Sequence, residues 1–394
     1  MQALSGLRVL DASNVIAGPF AASYLGDFGA SVIKVEMPGT GDTGRTLGPL
    51  IDGKGYRHST LSRNKKCVTI DLHKEKGKEL FLKLVAQSDV LIENFRTGTF
   101  DKWGLDIETL RKANPDIIVA RITGYGQTGP KSTMSGFGSA CTGFAGVTAI
   151  NGLPGTPPVI IGFSVADYIA GLYTIIGIMM SLYHRKVLGG NPQEIDISLY
   201  EGLFRMLEGM IGNYYLTGAI QGQNGDIVEG ALPSGVFKTK DEQWIVVVFA
   251  SAKTFEYTLN AIGRSDLLEL GKTASEREAN HAIFHKAATE WIAQHNCDDA
   301  MELFTREKVP ASKVYNIKDI FEDPQYAARN NIVEIEDPLF GKLAMPSACP
   351  VLSETPGEIK WAGPLLGEHN EDVFKNMLGF TEDQYAQLLD EGII

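Results

Sequence analysis

The first third of this chain alternates short apolar segments with amphipathic ones, and this alternation limits the folds it can adopt. Residues 7–11, 31–36, 66–71, 89–93 and 117–122 carry runs of Val, Ile and Leu typical of strands. Residues 17–29 and 74–88 have apolar side chains at helical spacing, with Pro19 near the first turn of the earlier segment. Strands that alternate with helices predict a mostly parallel sheet covered on both faces, that is, a Rossmann-like doubly wound α/β fold.

The pattern changes after about residue 220, where a glycine-rich coil leads into a strand at residues 244–249. Charged helical segments follow at 267–270, 276–293 and 298–306, and the chain ends in proline-rich extended segments and a last helix. We therefore predict three parts. Residues 1–220 form the large domain, residues 221–330 form a smaller α+β domain, and residues 331–394 form a C-terminal segment. The glycine-rich residues 222–235 are expected to act as a lid.

Asp167 opens the most apolar helix of the chain. Residues 168–183 carry no charge, and Arg185 and Lys186 follow where a helix C-terminus favours cations. The positive end of the helix dipole and the free N–H groups of the first turn favour an ionised carboxylate. Such a group is a candidate nucleophile or general base. The alternative is an N-cap aspartate without a function. The apolar run is short for a bilayer span and predicts a buried core helix.

Charge and cysteine content exclude several classes of partner. The net charge is −12, from 48 acidic and 36 basic residues, which argues against nucleic acid and anionic membranes. The N-terminus lacks the basic and apolar regions of a signal peptide. The four cysteines have no CxxC spacing, and we expect free thiols in a cytoplasmic protein.

Three familiar motifs are incomplete in this chain. The first strand–turn–helix lacks the GxGxxG of NAD-binding proteins, although Glu36 ends the second strand where a ribose-binding acid could lie. Residues 162–166 approach the GxSxG of serine hydrolases, but Ala166 replaces the last glycine. His281 and His285 are four residues apart without the glutamate of HExxH, so we expect solvent-facing histidines and no metal site.

A polar loop follows the strand at residues 89–93. Asn94, Phe95 and Arg96 come directly after it, and Lys102 lies a few residues beyond. Loops at the carboxyl ends of parallel strands bind ligands in such sheets, and the two cations suit phosphate groups. Phe95 could pack near a base or a pantetheine arm. The alternative is a solvated turn.

Taken in order, these segments resemble class III CoA-transferases, the group of the carnitine and formyl-CoA transferases. The resemblance covers essentially the whole chain, and the ordered set of motifs is more specific than any one of them. It is carried by residues 6–11, 17–20, 28–36, 93–96, 124–130, 166–171, 195–201 and 232–237.

The resemblance implies an enzyme that moves CoA from an acyl-CoA to a small carboxylic acid. Asp167 would be the catalytic carboxylate, attacking the thioester to form an anhydride and then an aspartyl-CoA thioester. CoA would be a substrate, with no permanently bound cofactor. On the same resemblance and the strand-end argument, the expected CoA-binding residues are Arg96, Lys102, Asn94, Phe95, Leu72, Ala17 and Arg45.

The resemblance also implies an interlocked homodimer and leaves two alternatives open. α-Methylacyl-CoA racemases share the aspartate but pair it with a histidine, and Phe137 occupies that position here. Racemisation needs two proton-transfer groups, so Phe137 argues against it. A non-catalytic CoA-binding subunit of a hetero-oligomer is the other alternative. Some formyl-CoA transferases have glutamine where this chain has Ile16, which argues against oxalate or formate as the acid.

Overall fold

The computed structural model describes residues 1–227 and 232–394. The chain forms two compact units. The first contains Met1–Thr148, Ile160–Ile220 and Ala328–Ile394, and the second contains Ala149–Val159 and Gln221–Ala327. The predicted lid, residues 222–235, includes residues 228–231, which lie outside the described residues.

The helices and strands are numbered in chain order. The strands are β1 Arg8–Asp11, β2 Ser31–Glu36, β3 Leu50–Ile51, β4 Lys54–Gly55, β5 Lys65–Thr69, β6 Val90–Glu93, β7 Ile118–Thr123, β8 Glu194–Ser198, β9 Ser234–Lys238, β10 Trp244–Val248, β11 Ala311–Lys313, β12 Ile332–Asp337 and β13 Gly341–Pro346. The helices are α1 Ala17–Asp27, α2 Tyr56–Leu61, α3 Glu75–Val85, α4 Thr99–Lys102, α5 Ile107–Ala113, α6 Gly138–Phe144, α7 Val147–Ile150, α8 Val165–Lys186, α9 Glu201–Arg205, α10 Glu208–Thr217, α11 Ala252–Ala261, α12 Ala274–Ala279, α13 His281–Ile292, α14 Cys297–Arg306, α15 Ile317–Glu322, α16 Pro324–Ala328 and α17 Glu382–Asp390. Single 3₁₀ or π-helical segments cover Thr43–Arg45, Ser265–Gly271 and Asp372–Met377.

A parallel six-stranded sheet forms the centre of the first unit. Its order is β5-β2-β1-β6-β7-β8, which corresponds to 3-2-1-4-5-6 in chain order within the sheet. The strand order reverses between β1 and β6, where Leu10 pairs with Leu91. In doubly wound sheets, ligands bind outside the carboxyl ends of the strands at such a reversal. The predicted α/β class with a parallel central sheet is confirmed.

Apolar helices cover both faces of this sheet. On one face Phe81 and Leu84 of α3 pack with Phe374 from the C-terminal segment. On the other face Leu25 of α1 packs with Ile178 of α8. Burial of these side chains removes apolar surface from water, which is the main driving force for forming the two layers.

Helix α8 is longer than the apolar run of the sequence suggests. Val165–Lys186 has 22 residues, and by length and composition alone it could cross a membrane; it is the one such helix in the part of the chain that the structure describes. Ala166, Ala170, Thr174 and Ile178, each four residues apart, are buried against the first unit. This spacing packs one face of the helix into the core, as in the core helix of a globular protein. Of the most apolar stretch of α8, 39% is buried.

The second unit contains an antiparallel sheet in the order β11-β10-β9, with helices packed on it. Phe255 and Phe284 meet edge to face in its core, with ring centroids 4.7 Å apart. The prediction of a single helical segment for residues 276–293 is wrong, because the structure has two helices there. Asn280 leaves the helical conformation and donates to the Leu270 carbonyl, so that α12 and α13 are separate helices. His285 on α13 lies 4.8 Å from the Phe237 ring, which corrects its predicted solvent-facing position.

Candidate active site

The loops after β1 and β6 are joined at the reversal of strand order. The backbone N–H of Asn14 donates to Oδ1 of Asn94, and Nδ2 of Asn94 donates to the Asn14 carbonyl, both at 2.7 Å. These reciprocal bonds hold the loop that carries Asn94, Phe95 and Arg96 against the entrance of α1. The structure thus forms a crevice where doubly wound sheets bind ligands.

A buried group of charges lies beneath this crevice. Nζ of Lys65 is 2.8 Å from Oδ2 of Asp11, and Nζ of Lys34 is 2.8 Å from Oδ2 of Asp42. Burial acts to raise the pKa of Asp11, but Lys34 and Lys65 outweigh it and lower that pKa below its ordinary value. The lysines also donate to the carbonyls of Ser13 and Pro19, each at 2.8 Å. The ion pairs therefore brace the backbone on which the first loop and α1 begin.

Val15 has an unusual backbone conformation in this loop. Its φ is 68°, a region that disfavours β-branched residues. The backbone N–H of Val15 donates to Oδ1 of Asp42 at 2.9 Å, and Asp42 is itself held by Lys34. Strained residues of this kind cluster at functional sites, where the surrounding structure holds them in place.

Asp167 is the third residue of α8, which begins at Val165 with Ser164 in the N-cap position. The alternative that Asp167 is an N-cap is therefore wrong. A Cβ added to Gly138 would overlap Oδ2 of Asp167, so the carboxylate lies directly against the start of α6. With a larger residue at position 138, the Asp167 carboxylate could not keep this position.

The pKa of Asp167 is raised to about 6, and burial is the main cause. Its own backbone N–H and the nearby Arg57 act in the opposite direction. The sequence argument from the helix dipole predicted a carboxylate that is easily ionised. The structure corrects it, because desolvation outweighs the backbone N–H and Arg57, which favour the ionised form. A desolvated carboxylate that still ionises near neutral pH is suited to nucleophilic attack.

Two cavities in the first unit share Asp167. The smaller has a volume of about 470 Å³, and it extends from Asp167 to the loop after β6. The larger has a volume of about 880 Å³, and it extends from Asp167 past Phe163 to Arg57. Both are lined by Val15, Thr43, Phe137, Gly138 and Asp167.

Four of the predicted CoA-binding residues line the smaller cavity together with Asp167: Ala17, Asn94, Phe95 and Arg96. The side chain of Arg96 is exposed and makes no hydrogen bond or ion pair within residues 1–227 and 232–394. The ring of Phe95 packs 5.0 Å from Trp103, whose ring is also 5.0 Å from His73. These rings connect the loop after β6 to the loop after β5.

The other three predicted residues line neither cavity. Lys102 is exposed at the end of α4. Leu72 is only 7% exposed and packs in the core beneath α3. Arg45 is held by Glu36, with both Nε–Oε2 and Nη2–Oε1 distances of 2.7 Å. Burial acts to raise the pKa of Glu36, but the bonds from Arg45 and the charge of Lys34 outweigh it and lower that pKa to about 2.

Sequence reasoning missed several residues of the site. Arg57 on α2, Thr43 and Tyr168 line the larger cavity beside Asp167. Nothing in the local sequence of Arg57 or Thr43 distinguishes them from surface residues, whereas Tyr168 lies within the family-like segment 166–171 but was given no role. Phe137, by contrast, was singled out: it lies at the start of α6, lines both cavities and is 74% exposed.

One buried cluster has ligand atoms close enough for a metal. Glu36, His58 and Cys67 place one ligand atom each within 4.8 Å of one another. Both carboxylate oxygens of Glu36 are bound by Arg45, and burial raises the pKa of the Cys67 thiol far above its usual range. A protonated thiol and an occupied carboxylate do not suit a metal ion.

Comparison with known proteins assigns the chain to a family. Residues 4–370 match the sequence profile described as CoA-transferase family III. The chain belongs to this family. The protein is therefore a family III CoA-transferase, an enzyme whose substrates include CoA thioesters.

The relatives of this CoA-transferase match it over its whole length. A succinyl-CoA–D-citramalate CoA-transferase from Chloroflexus aurantiacus is 37% identical, covering 99% of this chain and 98% of the relative. The alpha subunit of a succinyl-CoA–L-malate CoA-transferase from Chloroflexus aurantiacus is 39% identical, with 99% and 92% covered. A crystal structure of a CAIB/BAIF family protein from Brucella suis superimposes with a TM-score of 0.84 at 30% identity, covering 95% of this chain and 99% of that one.

Proposed function

We propose that Asp167 carries CoA between two carboxylic acids through covalent intermediates. A carboxylate oxygen of Asp167 attacks the thioester carbonyl of the donor, and CoA thiolate leaves, which produces a mixed anhydride. The thiolate then attacks the aspartyl carbonyl, forms the aspartyl-CoA thioester and releases the donor acid. The acceptor carboxylate attacks this thioester and displaces the thiolate, which finally attacks the acyl carbonyl of the acceptor and regenerates Asp167.

The single observation that carries this proposal is that Asp167 lies where the two cavities meet. One cavity leads to the loop with Arg96, which suits the phosphates of CoA, and the other leaves room for an acid. Partial burial makes the carboxylate easier to desolvate for attack than a surface aspartate, since part of its hydration is already lost.

The CoA site is proposed around Arg96, Asn94, Phe95 and Ala17, which line the smaller cavity. Arg96 would bind phosphate, and the ring of Phe95 would pack against the pantetheine or the base. Lys102 and Leu72 stay predictions for the outer part of the site. Arg45 also stays a prediction, although its fork is already bound to Glu36.

The chemistry is tested by Asp167→Asn, with Asp299→Asn as the matched control. Asp299 is also the third residue of its helix, α14, but it is exposed and lines neither cavity. Asp167→Asn should abolish transfer, because an amide cannot form the anhydride, and should leave CoA binding and folding intact. Asp299→Asn should transfer at the wild-type rate.

Chemical trapping would identify the residue that carries the covalent intermediate. Hydroxylamine added with acyl-CoA should inactivate the wild type and leave a hydroxamate on Asp167, read by peptide mass spectrometry. A hydroxamate on any other carboxylate, or full activity in Asp167→Asn, would contradict the mechanism.

Racemisation is the alternative activity to be tested with the same protein. Among the described residues, no histidine lines either of the cavities that contain Asp167, and Phe137 holds no titratable proton. We expect no α-proton exchange from heavy water into a 2-methylacyl-CoA on the timescale of CoA transfer. Exchange as fast as transfer would favour a racemase.

A homodimer is proposed as the active assembly. Leu172, Ile176, Met179, Met180 and Tyr183 form an exposed apolar face on α8, and a patch of this kind commonly marks a protein contact. Sedimentation at micromolar concentration should show a dimer, and Met180→Lys should weaken it. The purified chain alone should transfer CoA; activity only with a second, different subunit would favour the hetero-oligomer. A cytoplasmic location stays part of this proposal.

A further inference from the structure

The larger cavity contains one cation. Arg57 lies on α2, is partly buried, and is the only Lys or Arg among the described residues that line this cavity. Asp167 is the only carboxylate among them. Much of the remaining wall is apolar, with Leu47, Ile160 and Phe163 on it.

The guanidinium of Arg57 makes no hydrogen bond or ion pair with any residue that the structure describes, residues 1–227 and 232–394. Two other arginines of the same unit, Arg45 and Arg63, are occupied, whereas Arg96 has no partner among the described residues but lines only the smaller cavity. Arg45 is bound to Glu36 at 2.7 Å, and Arg63 to Asp27 at 2.6 Å. A guanidinium that faces an apolar cavity without a partner is poorly solvated, and a carboxylate matches its planar fork in two hydrogen bonds.

We propose that Arg57 binds the second carboxylate of a dicarboxylic acid whose first carboxylate reacts at Asp167. This inference rests on the proposed function, because it assigns the acid to the larger cavity. Donor and acceptor acids both pass through a bond to Asp167, so the same arginine would hold the far carboxylate of each. The substrate class is thus the short dicarboxylic acids and their CoA monothioesters.

The attraction between Arg57 and the far carboxylate becomes stronger at the step in which the acceptor acid binds. In the free enzyme the negative charge of Asp167 partly balances Arg57, as shown by the effect of Arg57 on the pKa of Asp167. Once Asp167 is an aspartyl-CoA thioester it carries no charge, and the cavity is left with the cation alone. An incoming dianion is then attracted locally, despite the net charge of −12 of the whole chain.

Arg57 could instead act only on Asp167, by favouring its ionised form. The two roles differ in what they predict for acids of equal length. An effect through Asp167 changes the rates with all acceptors together. Direct binding of a far carboxylate changes only the choice between an acid that has this group and one that lacks it.

A competition experiment distinguishes the two roles of Arg57. The full-length enzyme is supplied with glutaryl-CoA and equal concentrations of succinate and butyrate, and the ratio of succinyl-CoA to butyryl-CoA is measured by mass spectrometry. Both acceptors compete for the same aspartyl thioester, so the ratio does not depend on the donor step. The variants are Arg57→Gln and Arg57→Lys. The matched control is Arg111→Gln, an exposed arginine on α5 that lines neither cavity.

The wild type and Arg111→Gln should favour succinate strongly. Arg57→Gln should lower the ratio about 10- to 100-fold, the range expected for a lost hydrogen-bonded ion contact. If Arg57→Gln loses all turnover, the ratio is measured with Arg57→Lys. The lysine keeps a point charge but lacks the planar fork, so it should lower the ratio by a smaller factor.

An unchanged ratio in an active Arg57 variant would overturn the inference and leave the proposed function standing. A wild type that transfers CoA to neither acid, and forms no hydroxamate on Asp167, would instead remove the proposed function itself.

Discussion

If Asp167 is the nucleophile, as proposed, its carboxyl group should give the reaction a pH dependence. Its pKa is raised to about 6, mainly by burial, and only the ionised form is a nucleophile. We expect the rate of the first, acylating step to be constant above that pH and to fall about tenfold per unit well below it. Single-turnover trapping with hydroxylamine at several pH values measures this rate.

The same profile tests the influence of Arg57. Because Arg57 acts to lower the pKa of Asp167, Arg57→Gln should move the midpoint to higher pH. A wild-type midpoint near the ordinary aspartate value of 3.8 would contradict the role of burial.

The close approach of Gly138 to Asp167 yields a second prediction at the residue scale. In Gly138→Ala the new methyl group would overlap Oδ2 of Asp167, so the carboxylate must turn away. We expect kcat to fall on the order of 100-fold, as for other small displacements of a reacting group. Gly143→Ala, on the same helix α6 but with 4.0 Å to the nearest neighbouring atom, is the control. It should keep full activity and could stabilise the helix by about 0.5–1 kcal/mol.

At the scale of elements, the site depends on how the loops after β1 and β6 are joined. Asn94→Ala removes both bonds between Asn94 and the backbone of Asn14. We expect it to lower the free energy of unfolding by about 1–2 kcal/mol and to raise the Kd for CoA. Urea unfolding and calorimetry measure the two effects.

Asn114→Ala is the matched control for this prediction. Its Nδ2 donates to the backbone carbonyls of Val85 and Ser88, and its Oδ1 accepts from the backbone N–H of Asp116. It therefore also joins backbone segments, but at the opposite end of the sheet. It should lose similar stability and bind CoA normally. Equal changes in CoA affinity for both variants would mean that general destabilisation, rather than the joined loops, explains the result.

At the scale of the whole molecule, we expect the free energy of unfolding to depend on the buried group of charges beneath the crevice. Lys65→Met would remove the nearer of the two lysines that pair with the buried carboxylate of Asp11. Lys34 would remain, with its Nζ 3.9 Å from Oδ2 of Asp11. Removal of one partner from a buried pair typically costs about 3–5 kcal/mol. Lys66→Met, at the next position on β5, breaks an exposed pair with Asp372 and should cost less than about 1 kcal/mol. Urea unfolding of both variants tests the difference, and equal losses would contradict a buried network.

Local patterns in the sequence determined much of the fold and the choice of Asp167 as the proposed nucleophile. The strands β1, β2, β5, β6 and β7 were predicted to within one or two residues, because alternating and helical periodicities are properties of neighbouring residues. The polar loop after β6 was predicted for the same reason, since it follows a strand directly. Asp167 was identified from its helix and from the ordered motifs of the family.

Only the tertiary structure decided what surrounds these residues. Asp11 and Lys65 are 54 residues apart in sequence, and Gly138 and Arg57 reach Asp167 from different helices. The burial of Leu72 and the pairing of Arg45 likewise follow from packing between distant segments. Desolvation depends on every atom nearby, whereas a helix dipole depends on one segment. For this reason the sequence singled out the carboxylate, but only the fold determined that burial outweighs the groups that favour its ionised form. Only the fold also showed that Arg57, without a partner among the described residues, lines the same cavity.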